Sequence, residues 1–221
     1  MITLDERWNE IPKALLDQLS TSKADGLGHQ EWDYAYQISE STDSMNYPYI
    51  LIQIKNTGRV VESELQEAAK AMTSAKINPE DMQKLSSGQI KSASAETVDY
   101  DTKAHTLISK ASINTGESGE LKTLTALKLT KDGLIQFHGY ALPDQAAEFM
   151  PFFEKAIADI ELPPDMAYQV SGGDESFLSK YKWSEVGRNA LIGGVLGAIL
   201  VLVKNLRNKR KSPAASTPSA S

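Results

Sequence analysis

Three histidines are the side chains in this sequence that titrate near neutral pH and could therefore carry acid–base chemistry. His29, His105 and His138 lie far apart in the chain, and no second histidine or cysteine stands beside any of them at zinc-ligand spacing. A hydrolase would need His105 or His138 beside a nucleophile and a carboxylate such as Asp99 or Asp101. This enzyme is kept as an alternative, because catalytic groups assemble from distant positions in a sequence.

Signatures of other chemistries are absent from the sequence. Gly26-Leu27-Gly28 has no preceding strand and lacks the third glycine of a glycine-rich phosphate-binding loop. Asp99-Tyr100-Asp101 lacks the glycine and the closing glutamate of a calcium loop. His138 stands among apolar strand residues, a pattern typical of a structural histidine. The sequence therefore predicts no catalytic, cofactor-binding or metal-binding residue and no cofactor, and it favours a protein that is not an enzyme.

The elements that would position these residues are a sheet and the helices around it. Apolar residues at helical spacing predict helices at 8–19, at about 60–76, from Asn78, and at 144–159, where Pro151 should kink or restart the helix. Apolar and β-branched runs predict strands at 31–38, 47–55, 93–100, 104–113, 120–130 and 134–141, with a short last strand at 168–170. Asp132-Gly133 predicts a hairpin turn with positive φ. The predicted fold class is α+β, with a largely antiparallel sheet of about six strands flanked by helices.

Charge is divided unevenly along the chain. Residues 1–182 carry a net charge of −11, and residues 183–221 carry a net charge of +5. A domain this acidic repels phosphate backbones, so the sequence predicts no nucleic-acid partner. The acidity also keeps the domain soluble.

The most apolar stretch lies near the C-terminus. Residues 190–203 have no polar side chain, and the stretch extends to Val186 if Arg188 reaches the lipid headgroups. A helix of that length spans about 27 Å, close to the hydrocarbon thickness of about 30 Å. Tyr181 and Trp183 precede it as interfacial aromatic residues, and five basic residues follow within 204–211. We predict a transmembrane helix at 186–203 in contact with the lipid bilayer, and a buried core helix is the alternative.

The basic cluster after this helix also indicates orientation. It places the C-terminal tail in the cytoplasm and the domain outside it, in a periplasm, at a cell surface or in a lumen. Export of the domain requires a signal peptide, and residues 1–20 have neither a basic start nor an unbroken apolar run. We expect a cleaved leader ahead of Met1, and a tail-anchored protein with a cytosolic domain is the alternative.

The predicted organisation has five parts. In chain order they are an N-terminal helix and loop (1–28), the α+β domain (29–171), a linker (172–185), the transmembrane helix (186–203), and a segment in which a basic cluster ends the span and a disordered tail follows (204–221). Small residues recur every three or four positions in the transmembrane helix, where they would allow close packing in a homodimer: Gly187, Ala190, Gly194 and Gly197.

The order of the elements resembles the PsbP/DcrB-like α/β family of cell-envelope and thylakoid-lumen proteins. Two stretches carry the resemblance, namely 49–55 running through a turn into the helix at 62–75, and the hairpin 124–140 followed by the helix at 149–160. The resemblance implies an antiparallel sheet flanked by helices and an accessory or binding role, and it implies no catalytic residue. The C-terminal anchor departs from the family pattern, because such domains are more usually lipoproteins or soluble.

The function expected from the sequence is that of a non-enzymatic accessory or binding module of the cell envelope, anchored in the membrane and acting on a protein partner. The alternatives are a cytosolic tail-anchored adaptor, which should expose a large apolar patch, and a hydrolase using His105 or His138.

Overall fold

The computed structural model describes residues 2–21, 31–38, 45–56, 58–74, 90–115 and 119–169. These residues form one seven-stranded sheet with the order β1-β2-β3-β7-β6-β5-β4. All neighbouring strands are antiparallel. The strands and helices are β1 (Asn9–Glu10), α1 (Lys13–Thr21), β2 (Tyr34–Gln37), β3 (Tyr49–Lys55), α2 (Glu62–Ser74), β4 (Ser92–Asp101), β5 (Thr106–Asn114), β6 (Glu120–Thr130), β7 (Gly133–Ala141) and α3 (Ala146–Ala158). The α+β class and the antiparallel sheet agree with the sequence-based prediction.

One face of the sheet is covered by α3, and we call it the α3 face. The helix presents Phe149, Phe153, Ala156 and Ile157 to the apolar residues of the central strands, and Trp8 joins them from the N-terminal segment. Gly139 on β7 lies directly under the ring of Phe153, where a Cβ atom would come within 2.5 Å of the ring. The close approach of helix and strand therefore requires glycine at this position.

The opposite face is covered by two helices, and we call it the α1–α2 face. Leu15 and Leu16 of α1 pack at one end of it, in a cluster with Trp32, Tyr49 and Tyr140. At the other end α2 packs Leu65, Ala68 and Met72 against Leu107, Leu127, Leu129 and Leu134. The Glu64 carboxylate accepts a hydrogen bond from Val61 N at 3.0 Å, which satisfies a backbone donor where α2 begins.

The N-terminal segment differs from its prediction. The helix expected at 8–19 begins at Lys13 instead, and Asn9–Glu10 pairs with β2 as an additional edge strand. Pro12 explains the boundary, because its fixed φ suits a helix start and its carbonyl accepts the first helical hydrogen bonds, from Leu15 N and Leu16 N. This edge strand raises the count of strands from about six to seven.

Three further local predictions were corrected. The helix α3 runs unbroken through the exposed Pro151, so the predicted restart does not occur. Tyr168 and Gln169 do not belong to a strand, and the pairing beside them is one isolated bridge between Ala167 and Thr130. Val170, the last residue of that predicted strand, lies outside the described residues. The predicted β6–β7 hairpin is present, but Gly133 pairs with Thr130 inside the strand and does not adopt positive φ. The helix predicted from Asn78 lies outside the described residues.

The membrane prediction concerns residues that the structure does not describe. The predicted span 186–203 and its small residues Gly187, Ala190, Gly194 and Gly197 lie outside the described ranges. Within those ranges, no helix has the length and apolar character needed to cross a bilayer.

Candidate functional site

His138 is a buried residue at the centre of the α1–α2 face. It lies on β7 with 1% of its surface exposed, and its Nδ1 is 3.0 Å from the hydroxyl of Thr125 on the neighbouring strand. The indole of Trp32 meets the imidazole edge to face, with 5.3 Å between ring centroids. Burial, and to a lesser degree the charge of Lys55, lowers the pKa of His138 to about 3. The imidazole is therefore neutral at physiological pH and is enclosed by the core, with a hydrogen bond at Nδ1 and none at Nε2 from any described residue.

His105 occupies a different environment, at the turn between β4 and β5. Its backbone has φ of 49°, in the left-handed region that non-glycine residues rarely adopt. Its Nδ1 hydrogen-bonds to the carboxylate of Glu62, which is 43 residues away at the start of α2. Its ring contacts that of Tyr168, with the centroids 4.8 Å apart. The structure therefore gives His105 a carboxylate partner and an aromatic neighbour.

The carboxylates expected beside the histidines have other positions. Asp101 caps the β4–β5 turn, where it accepts hydrogen bonds from the backbone of Lys103 at 2.8 Å and Ala104 at 3.0 Å. These bonds, with that from Ala104 the larger cause, lower the pKa of Asp101. Asp99 pairs in register with Ile108, which belongs to the α3 face. The expectation that Asp99 or Asp101 partners a histidine was wrong. By strand alternation, both side chains lie on the face opposite His138. The acid that hydrogen-bonds to His105 is Glu62.

A histidine–carboxylate pair can accept and release a proton, but hydrolysis by nucleophilic catalysis also needs an activated hydroxyl or thiol. The hydroxyl nearest in sequence, that of Thr106, donates to Ala104 O at 2.8 Å. Within the described ranges, no hydroxyl group hydrogen-bonds to His105, and no three histidine or acidic side chains are placed to hold a metal ion. The geometry thus brings together two of the three groups that the hydrolase alternative requires.

The segment that follows α3 is fixed beside His105. The guanidinium of Arg59 lies over the ring of Tyr168, 5.9 Å from its centroid, and donates to Gln169 O at 3.0 Å. Lys131 N donates to Met166 O at 2.9 Å. Burial and the negative charge of Glu62 raise the pKa of Tyr100, on the adjoining strand, to about 12. Sequence reasoning missed Glu62, Arg59 and Tyr168 as neighbours of His105, since no spacing motif connects them.

An open groove of about 480 Å³ runs beside this cluster, between α2 and β4. Its walls are Gln66, Ala69, Lys70 and Thr73 from one side of α2, and Val98 and Tyr100 from β4. The strand β4 forms the edge of the sheet, and most of its residues are exposed. The groove therefore adjoins a strand whose outer backbone edge has no neighbouring strand in the described sheet. This groove with its strand is a surface in the described structure that could contact another molecule.

Large exposed apolar side chains are rare in the part of the chain that the structure describes. Tyr34, with 43% of its surface exposed, is the one large hydrophobic residue in the exposed class there. The extended apolar patch expected of an adaptor is not seen in those ranges.

Comparison with solved structures identifies similarity to a known protein. No protein-family model matches the chain, and no curated protein matches it. The solution structure of cyanobacterial PsbP (CyanoP) from Synechocystis sp. PCC 6803 is similar to it, with a TM-score of 0.46 and 10% sequence identity. The similarity covers 71% of this chain and 82% of that protein. The chain thus bears a weak resemblance to PsbP, as its sequence also indicated.

Proposed function

We propose that this protein is a non-enzymatic binding module, held at a membrane of the cell envelope by residues 186–203, and that it acts through contact with another protein. The observation that carries the proposal is the α2–β4 groove beside β4, which is an edge strand of the sheet among the described residues. A groove of about 480 Å³ with mixed apolar and polar walls suits side chains of a protein partner.

The remaining surface supports a soluble module that makes selective contacts. In the part of the chain that the structure describes, the large side chains of the core are buried between the sheet and its helices, and no extended apolar face is left uncovered there. The excess of acidic residues in 1–182 keeps it away from anionic surfaces and favours partners that carry positive charge.

Site-specific photocrosslinking in intact cells tests the binding role. A benzophenone side chain would replace Ala95 on β4 or Gln66 on α2, and Tyr34 on β2 would serve as an exposed control position. We expect a discrete protein adduct from the first two positions and none from Tyr34. Absence of adducts from both Ala95 and Gln66, with the protein present at normal abundance, would contradict the proposed function.

Protease protection tests the placement of the domain. Protease added to intact cells or spheroplasts should remove residues 1–171 and spare the C-terminal tail. Protection of the domain would replace this placement with the cytosolic tail-anchored adaptor.

A hydrolase remains the second candidate, because His105 and Glu62 form a half-buried hydrogen-bonded pair. The enzyme would turn over a generic ester, phosphate or peptide substrate, and His105→Ala would abolish turnover without unfolding the protein. If the purified chain shows that behaviour, the non-enzymatic role is wrong. Turnover that persists in the variant would come from a contaminant or another site and would remove His105 from consideration.

A further inference from the structure

We propose, on the basis of the binding role above, that β4 takes up an extended segment of the partner as an eighth strand, and that this segment alternates apolar with basic side chains. Strand addition supplies affinity through backbone hydrogen bonds, and the two faces of the sheet supply specificity through alternate side chains.

The edge of the sheet at β4 is long enough for this kind of pairing. The strand has ten residues, whereas β1 at the opposite edge has two. A bulge interrupts the β4–β5 register between Ala95 and Thr97, and beyond it the pairing is regular from Thr97 to Asp101. Bulges discourage pairing at an edge, so the segment from Thr97 to Asp101 is where a new strand can bind.

On the α1–α2 face, the groove between α2 and β4 lies beside the place that the added strand would occupy. Leu65, Ala68 and Met72 of this helix face the core. Gln66, Ala69, Lys70 and Thr73 form the neighbouring stripe and line the groove with Val98 and Tyr100. Residues spaced in this way share one side of a helix. Side chains of the added strand that point to this face would therefore enter the groove, where Ala69, Val98 and the ring of Tyr100 favour apolar groups.

On the α3 face, the same strand segment is acidic. Asp99 and Asp101 share this face because their partners in register are Ile108 and Thr106. The Asp99 carboxylate is exposed and has no hydrogen-bond or ion-pair partner among the described residues. Glu96 lies on the same side, where its carboxylate pairs with Lys122 at 2.7 Å. The added strand would thus have lysine or arginine on this side, opposite Asp99.

These two requirements fix which side chains of the partner face the groove and which face the acidic side of β4. A shift of one residue would move every basic side chain into the groove and every apolar one onto the acidic face. The recognised sequence is consequently an alternation of apolar and basic residues over at least the five positions that face Thr97 to Asp101.

A synthetic probe tests the inference with the full chain in a neutral detergent. The probe is an acetylated heptapeptide that alternates lysine and valine. One control peptide alternates glutamate and valine, and a second contains the same lysines and valines in a blocked order. We expect the alternating basic peptide to bind at least about tenfold more tightly than either control, and its affinity to fall as salt is raised. It should also slow hydrogen exchange of β4 amides.

Two pairs of variants locate the binding. Gln66→Trp fills the groove and should weaken binding at least about tenfold, whereas Glu67→Trp, at an exposed position outside the groove, should not. Asp99→Lys should weaken binding about three- to tenfold, the effect expected from a few exposed charge contacts. Asp132→Lys, with the same change of charge at the exposed β6–β7 turn, should leave binding unchanged.

The outcomes separate this inference from the proposed function. Equal binding of the three peptides, or equal effects within each pair of variants, would overturn the strand-addition inference. If photocrosslinking at Ala95 and Gln66 still captures a discrete partner in that case, the binding role stands and its partner binds in another manner. If crosslinking also fails, both are wrong.

Discussion

His138 offers the sharpest test of the structure, because its burial predicts how stability depends on pH. Its imidazole has a pKa of about 3 in the folded protein, against about 6.5 in an unfolded chain. Between these values the unfolded state binds a proton that the folded state does not. Stability should therefore fall as pH is lowered from about 6.5 towards about 3, and His138 should contribute no further change below that pH.

The size of the effect follows from the two pKa values. Lowering the pH from about 7 to about 5 should cost about 2 kcal/mol of unfolding free energy through His138 alone, and continuing to about pH 4 should raise the cost to about 3 kcal/mol. Such a loss is a large part of the 5–15 kcal/mol, roughly, that stabilises an ordinary domain. Carboxylates also titrate in this range, so the contribution of His138 has to be measured as a difference.

The comparison is between the natural chain and His138→Asn, in which a side-chain amide can still hydrogen-bond to Thr125. Urea denaturation between about pH 4 and pH 7 gives the free energy of unfolding for each, and the natural chain should lose about 3 kcal/mol more than the variant. Nuclear magnetic resonance of the imidazole provides a direct check. Parallel pH profiles for the two proteins, or titration of His138 near pH 6.5 in the folded state, would refute the reasoning.

Three further predictions concern packing and the His105 pair. Gly139→Ala should destabilise the protein by about 1–3 kcal/mol, because the new methyl group would clash with the buried Phe153. Unchanged stability in urea denaturation would mean that α3 and β7 pack less closely than the structure shows. Phe153→Ala should lower the free energy of unfolding by about 3–5 kcal/mol, and Phe152→Ala should lower it less because Phe152 is only half-buried. If Phe152→Ala were the more destabilising change, a different face of α3 would have to pack on the sheet. Glu62→Gln should cost about 1 kcal/mol and shift the imidazole resonances of His105, whereas unshifted resonances would show that the pair does not form.

The regular strands and helices could be predicted from the sequence because their signals are local. The apolar alternation in 120–130 and 134–141 and the helical stripe at about 60–76 correspond to β6, β7 and α2. The N-terminal helix was misplaced because its apolar spacing continues through Pro12, while pairing of Asn9–Glu10 with β2 decided the structure of the residues before it. Tertiary pairing of this kind leaves no trace in a short window of sequence.

The surroundings of the two histidines could be predicted only in part. The apolar neighbours of His138 in sequence are consistent with its burial in the core, and its structural role stays a prediction. The acid beside His105 could not be identified from the sequence, because Glu62 lies 43 residues earlier at the start of α2. The order of the strands in the sheet decides which helix begins beside the β4–β5 turn. The edge position of β4, on which the proposed binding surface depends, is also a property of the strand order and not of the strand itself.

The order of the strands has a consequence for synthesis on the ribosome. In the finished sheet, β7 joins β1–β3 to β4–β6, because it pairs with β3 on one side and with β6 on the other. A nascent chain that has grown only to Asn114 therefore holds β1–β3 and the β4–β5 hairpin as two unconnected pieces. The apolar strand β3 (YILIQIK) has one unprotected edge until β7 emerges, and Ile50 and Ile52 stay uncovered until α3 follows. Truncation after β5 should thus produce an aggregating fragment, and the emerging chain is a natural client for chaperones that bind exposed strands.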